Sequence, residues 1–435
     1  MNKQKPNLNV VFLGHVGCGK STIQGHFIYK CGGIDKRSID KYEKEGSWMG
    51  KESVKYVWVT DRLRIERESG FSVKQSYWRV ITQKMNLSVI NVPGRSKFMK
   101  NFIRGASQAD VAVLVVSAAG SEFEKGVAKD GQTREHLLIA SGLGIKQLIV
   151  LVNKMDDKSV NYSETRFMEI KKQTNKILDR LGFCASKIPF IPVSGWRGDN
   201  LVGQSTNMRW YKGKTLVYAI DEFKVPKRLT ELPLRMPVSD SYKVNGVGIV
   251  SIGKVETGII KPNQQIIIFP TTLTSPVVSV EHFFGLIPKA VAGDFIGICT
   301  KGIARYKIKK GMVIGDREND PPRFVSQFTA QVSVLYHPTS IQVGYVPNVF
   351  CNVAHGPCRI EKILIKFNPK NADEDEIKNP DLIKKGESAI MVFKPLRPIC
   401  VETFERCPAL GRIILRDSRF TIGYGTITQT TKIDN

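Results

Sequence analysis

No run of about 18 apolar residues occurs in the 435-residue sequence, so no segment reads as a bilayer-spanning helix. The start, Met1-Asn2-Lys3-Gln4-Lys5-Pro6, lacks the apolar stretch of a secretory leader. Cysteine is present without organisation. The eight residues at 18, 31, 184, 299, 351, 358, 400 and 407 form no CxxC pair and no Cys/His cluster with zinc spacing, which leaves neither a disulfide framework nor a metal knuckle as the basis of the fold. A reduced, cytoplasmic setting without membrane insertion is the expectation. Acidic side chains are scarce: 40 Asp and Glu face 65 Lys and Arg, a formal charge of +25. With 42% hydrophobic residues the chain is nevertheless no disordered polyelectrolyte. The excess concentrates early, residues 1–220 holding 36 basic and 19 acidic side chains against 29 and 21 in 221–435. Such a field attracts polyanions, among them nucleic acid, acidic filaments and anionic membrane surfaces, unless it is only a solvated surface.

What the chain does have is two patterns in series. From residue 9 to 220, short apolar runs alternate with amphipathic stretches, as in a mostly parallel sheet flanked by helices. Strands are expected at 9–13, 87–91, 111–117, 148–153 and 189–193, and helices at 20–29, 97–105, 133–143 and 164–181. Beyond about residue 224, β-branched runs punctuated by Gly and Pro read as all-β barrels. Examples are 248–253, 265–269, 295–300, 330–335, 363–367 and 412–415. Asp320-Pro321-Pro322 divides this half. The expected domains are therefore 1–226, 227–322 and 323–435. The polar stretch 370–381 reads as a surface hairpin loop.

Gly14-His15-Val16-Gly17-Cys18-Gly19-Lys20-Ser21 fits GxxxxGK[ST], follows an apolar run and opens a helical stretch ahead of Thr22. That is the context of a phosphate loop, in which backbone N–H groups wrap the phosphates, Lys20 neutralises the β and γ oxygens and the Ser21 hydroxyl ligates Mg²⁺. Asn153-Lys154-Met155-Asp156 closes a later strand. The Asp156 carboxylate can accept from both N1–H and the 2-amino group of guanine, a donor pair adenine lacks. Ser194-Gly195-Trp196, after the last strand, can offer a backbone N–H to the guanine O6. Between them stands Asn91-Val92-Pro93-Gly94, where a GTPase carries DxxG. The neutral Asn91 lacks the negative charge that holds Mg²⁺ through water, although its amide oxygen can still bond a metal-bound water.

These motifs, with Tyr29-Lys30-Cys31-Gly32-Gly33-Ile34-Asp35-Lys36-Arg37, Ala106-Ser107-Gln108-Ala109-Asp110, Gly131-Gln132-Thr133-Arg134-Glu135-His136, Val255-Glu256-Thr257-Gly258, Phe328-Thr329-Ala330-Gln331-Val332 and Leu410-Gly411-Arg412, give a chain that resembles the elongation factor 1-alpha family of translational GTPases nearly end to end. The resemblance implies an α/β P-loop GTPase domain, its mostly parallel sheet covered by helices on both faces, followed by two all-β barrels. It implies GTP or GDP with Mg²⁺ as cofactors, Ser21 and Ser72 as metal ligands, and delivery of aminoacyl-tRNA to the ribosome. It also implies a nucleotide exchange factor as partner, and actin or microtubules as associations known for the family. Contact with tRNA falls to Lys100, Asn101 and Glu281, although the first two also read as ordinary exposed helix residues.

The departures from the family fall at the chemistry. Arg95 stands where the family places the His that positions the attacking water. A guanidinium stays protonated and cannot act as a base, so Arg95 either pairs with the γ-phosphate or points to solvent. Gly17-Cys18 replaces Asp-Ser, and Ser69-Gly70-Phe71-Ser72 replaces Arg-Gly-Ile-Thr while keeping a hydroxyl at Ser72. His282-Phe283-Phe284-Gly285 follows Glu281 with rings that either stack on an adenine or pack in a barrel. Arg305, Lys307 and Lys309 would share one face if 304–310 were a strand. Two functions are compatible with this: GTP-dependent aminoacyl-tRNA delivery with impaired hydrolysis, or a nucleotide-bound structural or cytoskeleton-associated protein.

Overall fold

The computed structural model describes residues 5–51, 53–128, 131–244, 246, 248–283, 285–367, 376–417 and 420–432. The chain forms two compact units, Met1–Ser141 with Ile145–Pro226, and Gly142–Gly144 with Lys227–Asn435.

In the first unit the continuous apolar runs become strands buried on both faces, as a helix-covered parallel sheet demands. In chain order the elements are β1 (Asn7–Leu13), α1 (Lys20–Lys30), α2 (Lys36–Trp48), α3 (Val57–Thr60), α4 (Arg64–Ser69), β2 (Ser76–Ile81), β3 (Asn86–Asn91), α5 (Met99–Ala106), β4 (Val111–Ser117), α6 (Glu122–Val127), α7 (Gln132–Gly142), β5 (Leu148–Asn153), α8 (Glu164–Arg180), β6 (Phe190–Pro192) and α9 (Leu216–Ile220). The sheet order is β2-β3-β1-β4-β5-β6. All neighbours pair in parallel except β2, which runs antiparallel to β3. Leu8, Val10, Phe12, Ile23, Phe27, Val113, Val115 and Leu151 are fully buried in its core, each worth about 1.5–3 kcal/mol on burial. Asp35 caps α2 by accepting from the Ser38 N–H at 2.7 Å, and Ser163 caps α8 by accepting from Arg166 at 3.3 Å.

The expected strands and helices of this unit are present within a few residues, with one gap. Residues 36–81 carry three helices and a strand that their polar, charge-rich sequence did not announce. The stretch expected as one helix over 97–105 is split into a 3₁₀ turn, Ser96–Phe98, and α5.

The second unit is antiparallel throughout its two larger sheets. One joins Met236–Pro237, Val313–Asp316, Gln265–Phe269, Leu273–His282, Phe295–Thr300, Gly248–Lys254 and Asp240–Val244 in that order. The other runs from Asn348–Cys351 through Arg412–Arg416, Thr421–Lys432, Val325–Val334, Ser388–Pro395 and Ala354–Phe367. Because Asn348–Cys351 also pairs with Ala354–Phe367, that sheet closes on itself and leaves no free edge along the ring. Along Val325–Val334, Phe328, Ala330, Val332 and Val334 point inward, and Phe328 stacks on Phe393 at 5.2 Å.

Two expectations in this unit change. Arg305, Lys307 and Lys309 do not line one face of a strand, because Arg305–Lys307 is a 3₁₀ turn closed by Lys307 N–H to the Ala304 carbonyl. Buried Ile303 and Ile308 anchor the turn at each end, so apolar anchoring rather than strand pairing sets its shape. In the 370–381 stretch, Ile377–Lys378 pairs with Ile365 and Lys366, while 370–375 lies outside the described residues. Phe284 lies outside them too; Phe283 packs on His282 and Phe295.

A buried ionic cluster braces the second unit. Arg235, 3% exposed in its side chain, sits against Glu402, also 3% exposed, at 3.0 Å. Its five donors are all used: Nε and Nη2 donate to Glu402, Nη2 also to the Asp320 carboxylate, and Nη1 to the carbonyls of Leu234 and Asp320. Arg406 reaches both Asp320 and Glu402.

Candidate functional site

The phosphate loop sits between β1 and α1, where the chain must turn sharply. Gly19 has φ +92°, and a Cβ there would lie 2.2 Å from Asn153 Nδ2; any other residue would push the two loops apart. Gly14, Val16 and Gly17 complete the turn. Lys20 is buried, and its ammonium donates to the carbonyls of Gly14 at 2.8 Å and His15 at 2.7 Å. Gly94 packs against this corner so closely that a Cβ would lie 2.6 Å from Lys20 Nζ. His15 Nδ1 accepts from the Gln132 N–H at 3.3 Å, and burial, helped by Lys20, lowers its pKa.

At the end of β5, buried Asn153 joins two loops with one side chain. Its Nδ2 donates to the Cys18 carbonyl at 2.8 Å, and its Oδ1 accepts from the Gly195 N–H at 2.9 Å. The phosphate loop and the Ser194-Gly195-Trp196 turn are thereby fixed to each other. Of the backbone N–H groups in the Ser194-Gly195-Trp196 turn, that of Gly195 is already given to Asn153. Ser194 Oγ accepts from the Arg197 N–H at 3.0 Å and holds the turn. Lys154 takes a left-handed backbone, φ +63°, and its ammonium pairs with Glu122 at 2.7 Å. The carboxylate of half-buried Asp156 has no hydrogen-bond partner among the described residues and is open to a ligand. Buried His26 stacks on Tyr56 at 3.9 Å and bonds the Gly195 carbonyl at 2.8 Å, and Trp196 meets Tyr56 edge-on at 5.8 Å. Burial lowers the His26 pKa against the opposing Gly195 bond, with Lys30 and Lys55 adding to the lowering.

A third group of residues gathers around the hydroxyls of Ser21 and Ser72. Ser21 Oγ and Ser72 Oγ are 3.1 Å apart, Ser72 donates to Asp61 Oδ1 at 2.7 Å, and Asn91 Nδ2 lies 3.3 Å from Ser72 Oγ and 3.4 Å from Asp61 Oδ1. Asn91 Oδ1 is buried with no hydrogen-bond partner. Burial pushes the Asp61 carboxyl up to about 6, against the Ser72 hydroxyl bond that lowers it. The segment carrying Ser72 is pinned by Glu66, whose carboxylate accepts from the N–H groups of Leu63, Val73 and Lys74 at 3.0, 2.8 and 3.0 Å. Asn101 on α5 adds a bond from its amide to the Val73 carbonyl at 2.8 Å. Among the described residues no three His, Cys, Asp or Glu side chains form a metal cage. An orphaned amide oxygen, paired hydroxyls and one carboxylate suit a hard ion that takes its other ligands from phosphate and water.

Arg95 is exposed, and its guanidinium lies over the Phe71 ring, 3.7 Å from the centroid, while Phe71 in turn stacks on Phe98. The two departures from the family at 71 and 95 are thus partners. Sequence reasoning missed Asp61 and Glu66, although both acids are buried in a charge-rich stretch. Their only signal was that Arg62 to Gly70 resembled the family segment. Of the residues assigned to tRNA, Lys100 is exposed with its pKa lowered by partial burial and by Arg104, and Asn101 spends its amide on Val73. Glu281 lies in the second unit, paired across strands with Leu286 and Gly297.

Comparison with known proteins agrees with this geometry. Residues 5–226 match the family described as elongation factor Tu GTP binding domain, 248–315 match elongation factor Tu domain 2, and 327–428 match the GTP-eEF1A C-terminal domain-like family. The chain is 46% identical to elongation factor 1-alpha of Tetrahymena pyriformis, covering 99% of each chain, and 45% identical to that of Saccharomyces cerevisiae, covering 100% of this chain and 97% of the relative. Its fold is shared with the S. cerevisiae Ski7 GTPase-like domain solved with GTP, at TM-score 0.78 and 21% identity over 98% of both chains. Among the described residues no helix is long and apolar enough to cross a membrane.

Proposed function

The chain belongs to the elongation factor 1-alpha family of guanine-nucleotide-binding translation factors, and from that premise we propose that it carries aminoacyl-tRNA to the ribosome with GTP and Mg²⁺ bound, hydrolysing the GTP slowly. The observation that carries the reading is the Asn153 side chain, which ties the phosphate loop at Cys18 to the base-reading turn at Gly195. That tie makes phosphate and base recognition one site, with the free Asp156 carboxylate facing the two guanine donors. Lys20 leaves two backbone carbonyls to meet the β and γ oxygens, exchanging neutral acceptors for charged ones, a stronger bond.

Ser21 and Ser72 would hold Mg²⁺, with the orphaned Asn91 oxygen bonding its water. When bound, the ion offsets charge on the β- and γ-phosphates. The proposed slowness rests on Arg95. An orienting group for the attacking water needs an acceptor, and a guanidinium has five donors and none. Here it also lies against Phe71.

Two assays test the reading. The purified protein is expected to bind fluorescent GDP and not fluorescent ADP, and to protect aminoacyl-tRNA from deacylation with GTP but not with GDP. Equal binding of adenine nucleotides would refute the base site. Absence of protection would refute delivery, and multiple turnover on ribosomes at an ordinary elongation-factor rate would refute the slow hydrolysis.

A further inference from the structure

Trp48, at the end of α2, is 84% exposed, and Met49 after it is exposed too. Ile65 on α4 is 59% exposed. Apolar side chains gathered on one surface mark places where something docks. Here they border an open groove of about 520 Å³. Trp48, Met49 and the buried Trp58 of α3 give the groove its apolar lining, and Arg62, Arg64 and Arg67 its basic one. The backbone around it is tied down. The Lys51 N–H donates to the Gly46 carbonyl of α2 at 2.9 Å, while its ammonium donates to the carbonyls of Arg67 and Glu68 on α4 at 2.5 Å each. The Arg67 guanidinium lies over the rings of Trp58 and Tyr42.

The charges lining the groove do not balance. Arg67 pairs with Glu45 at 3.4 Å and Arg64 with Glu68 at 2.6 Å, which leaves Arg62 with no carboxylate partner among the described residues. Its guanidinium lies over the Trp78 ring, 4.3 Å from the centroid. Partial burial, with Arg67 adding and Tyr42 opposing, lowers its pKa, as expected of a cation short of negative charge. We propose that this groove docks a peptide segment of a partner protein, an apolar side chain of the segment resting against Trp48 and Trp58 and a nearby aspartate or glutamate pairing with Arg62. A guanidinium held flat on a ring offers a planar fork that suits one carboxylate. A nucleic acid strand fits less well, because its successive phosphates would meet Glu45 and Glu68 in the same groove. A small organic acid would fill the groove and leave Ile65 in water, whereas a peptide chain can cross both.

The test is selection of random dodecapeptides, displayed as a library, on the immobilised full-length protein. Enriched sequences should pair an aromatic or aliphatic residue with Asp or Glu within one helical turn. A fluorescein-labelled peptide of the enriched sequence, followed by anisotropy, should bind Trp48→Ala roughly 10- to 30-fold more weakly than the parent, the usual result of losing a central aromatic anchor. Arg62→Glu should weaken it roughly tenfold. Exchanging the acid of the peptide for lysine should restore binding to Arg62→Glu and weaken binding to the parent, a reversal that a merely structural role for Arg62 would not produce. Both variants should bind fluorescent GDP as the parent does, which shows that they are folded; if Arg62→Glu does not, Trp48→Ala decides the matter. No enrichment, enrichment without the apolar and acidic pairing, or a peptide that binds Trp48→Ala as tightly as the parent overturns the proposal. So does an oligouridine dodecamer that loses its binding in Trp48→Ala, since the groove would then serve nucleic acid.

Discussion

Replacing Arg235 with Met removes the centre of the ionic brace in the second unit while nearly preserving side-chain length. Glu402 Oε1 then loses both of its guanidinium donors, and the carboxylate, 3% exposed, is left with Arg406 Nε at 3.6 Å. Leaving one member of a buried pair without its partner costs about 3–5 kcal/mol. For a unit of this size each kcal/mol moves the melting temperature by about 2–4 °C, so the β-unit transition should fall by roughly 6–20 °C. Arg235→Met with Glu402→Leu should fall much less than Arg235→Met alone, because Glu402 is no longer stranded, Asp320 keeps Arg406, and the remaining loss is the bonds to the Leu234 and Asp320 carbonyls and to the Asp320 carboxylate, at about 1 kcal/mol each. Far-UV circular dichroism follows the unfolding. All five tryptophans, at 48, 58, 78, 196 and 210, lie in the first unit, so their fluorescence separately shows that the first unit of the variant has folded. A shift below about 2 °C, or a double variant as damaged as Arg235→Met, would contradict a brace made of one fully used guanidinium.

Other consequences are open to measurement. Asn153→Ala strands the Cys18 carbonyl and the Gly195 N–H, about 1–3 kcal/mol for each buried group, so GDP affinity should fall by roughly 30-fold or more; an unchanged dissociation constant would disconnect Asn153 from the site. Arg95→His should speed ribosome-stimulated GTP hydrolysis by roughly 10²–10⁴-fold, the usual worth of a well-placed acid or base, and a rate equal to the parent's would place the block elsewhere. His26 has its folded pKa lowered, mainly by burial, so below about 6.5 the unfolded chain takes up a proton that the folded chain resists. Stability is lost as pH falls through that window, and His26→Gln should shrink the difference in urea midpoint between acid and neutral pH; an undiminished difference would mean that other groups, such as His15, carry it.

Much of this was legible before any coordinates. The GxxxxGK[ST] loop, the Asn-Lys-x-Asp stretch and the Ser-Gly turn are short, contiguous and set at strand ends, so they can be found by reading one residue after another. Asp61 and Glu66 were not legible in that way. Asp61 acts on Ser72 and Asn91, and Glu66 reaches Val73 and Lys74 as well as the Leu63 N–H of its own helix start, so most of their contacts have no local spacing. The intervening residues 36–81 are polar on most faces, because short helices wrapped over a nucleotide domain need little apolar surface, so periodicity had nothing to report. The stripe at Arg305, Lys307 and Lys309 failed for the opposite reason. Alternation was there, but the two isoleucines flanking it fixed a 3₁₀ turn in which alternation has no meaning.

The guanidinium resting on the Phe71 ring joins two positions that lie 24 places apart in the chain, and a change at either one alters the surroundings of the other. Arg95 without an aromatic ring at 71 would lose its seat, and Phe71 without the planar cation would keep only Phe98 against its ring. Neither substitution is comfortable as a first step in isolation. Relatives that carry arginine after the Asn-Val-Pro-Gly turn should therefore tend to carry an aromatic residue at the position of Phe71, and relatives that keep histidine there should not.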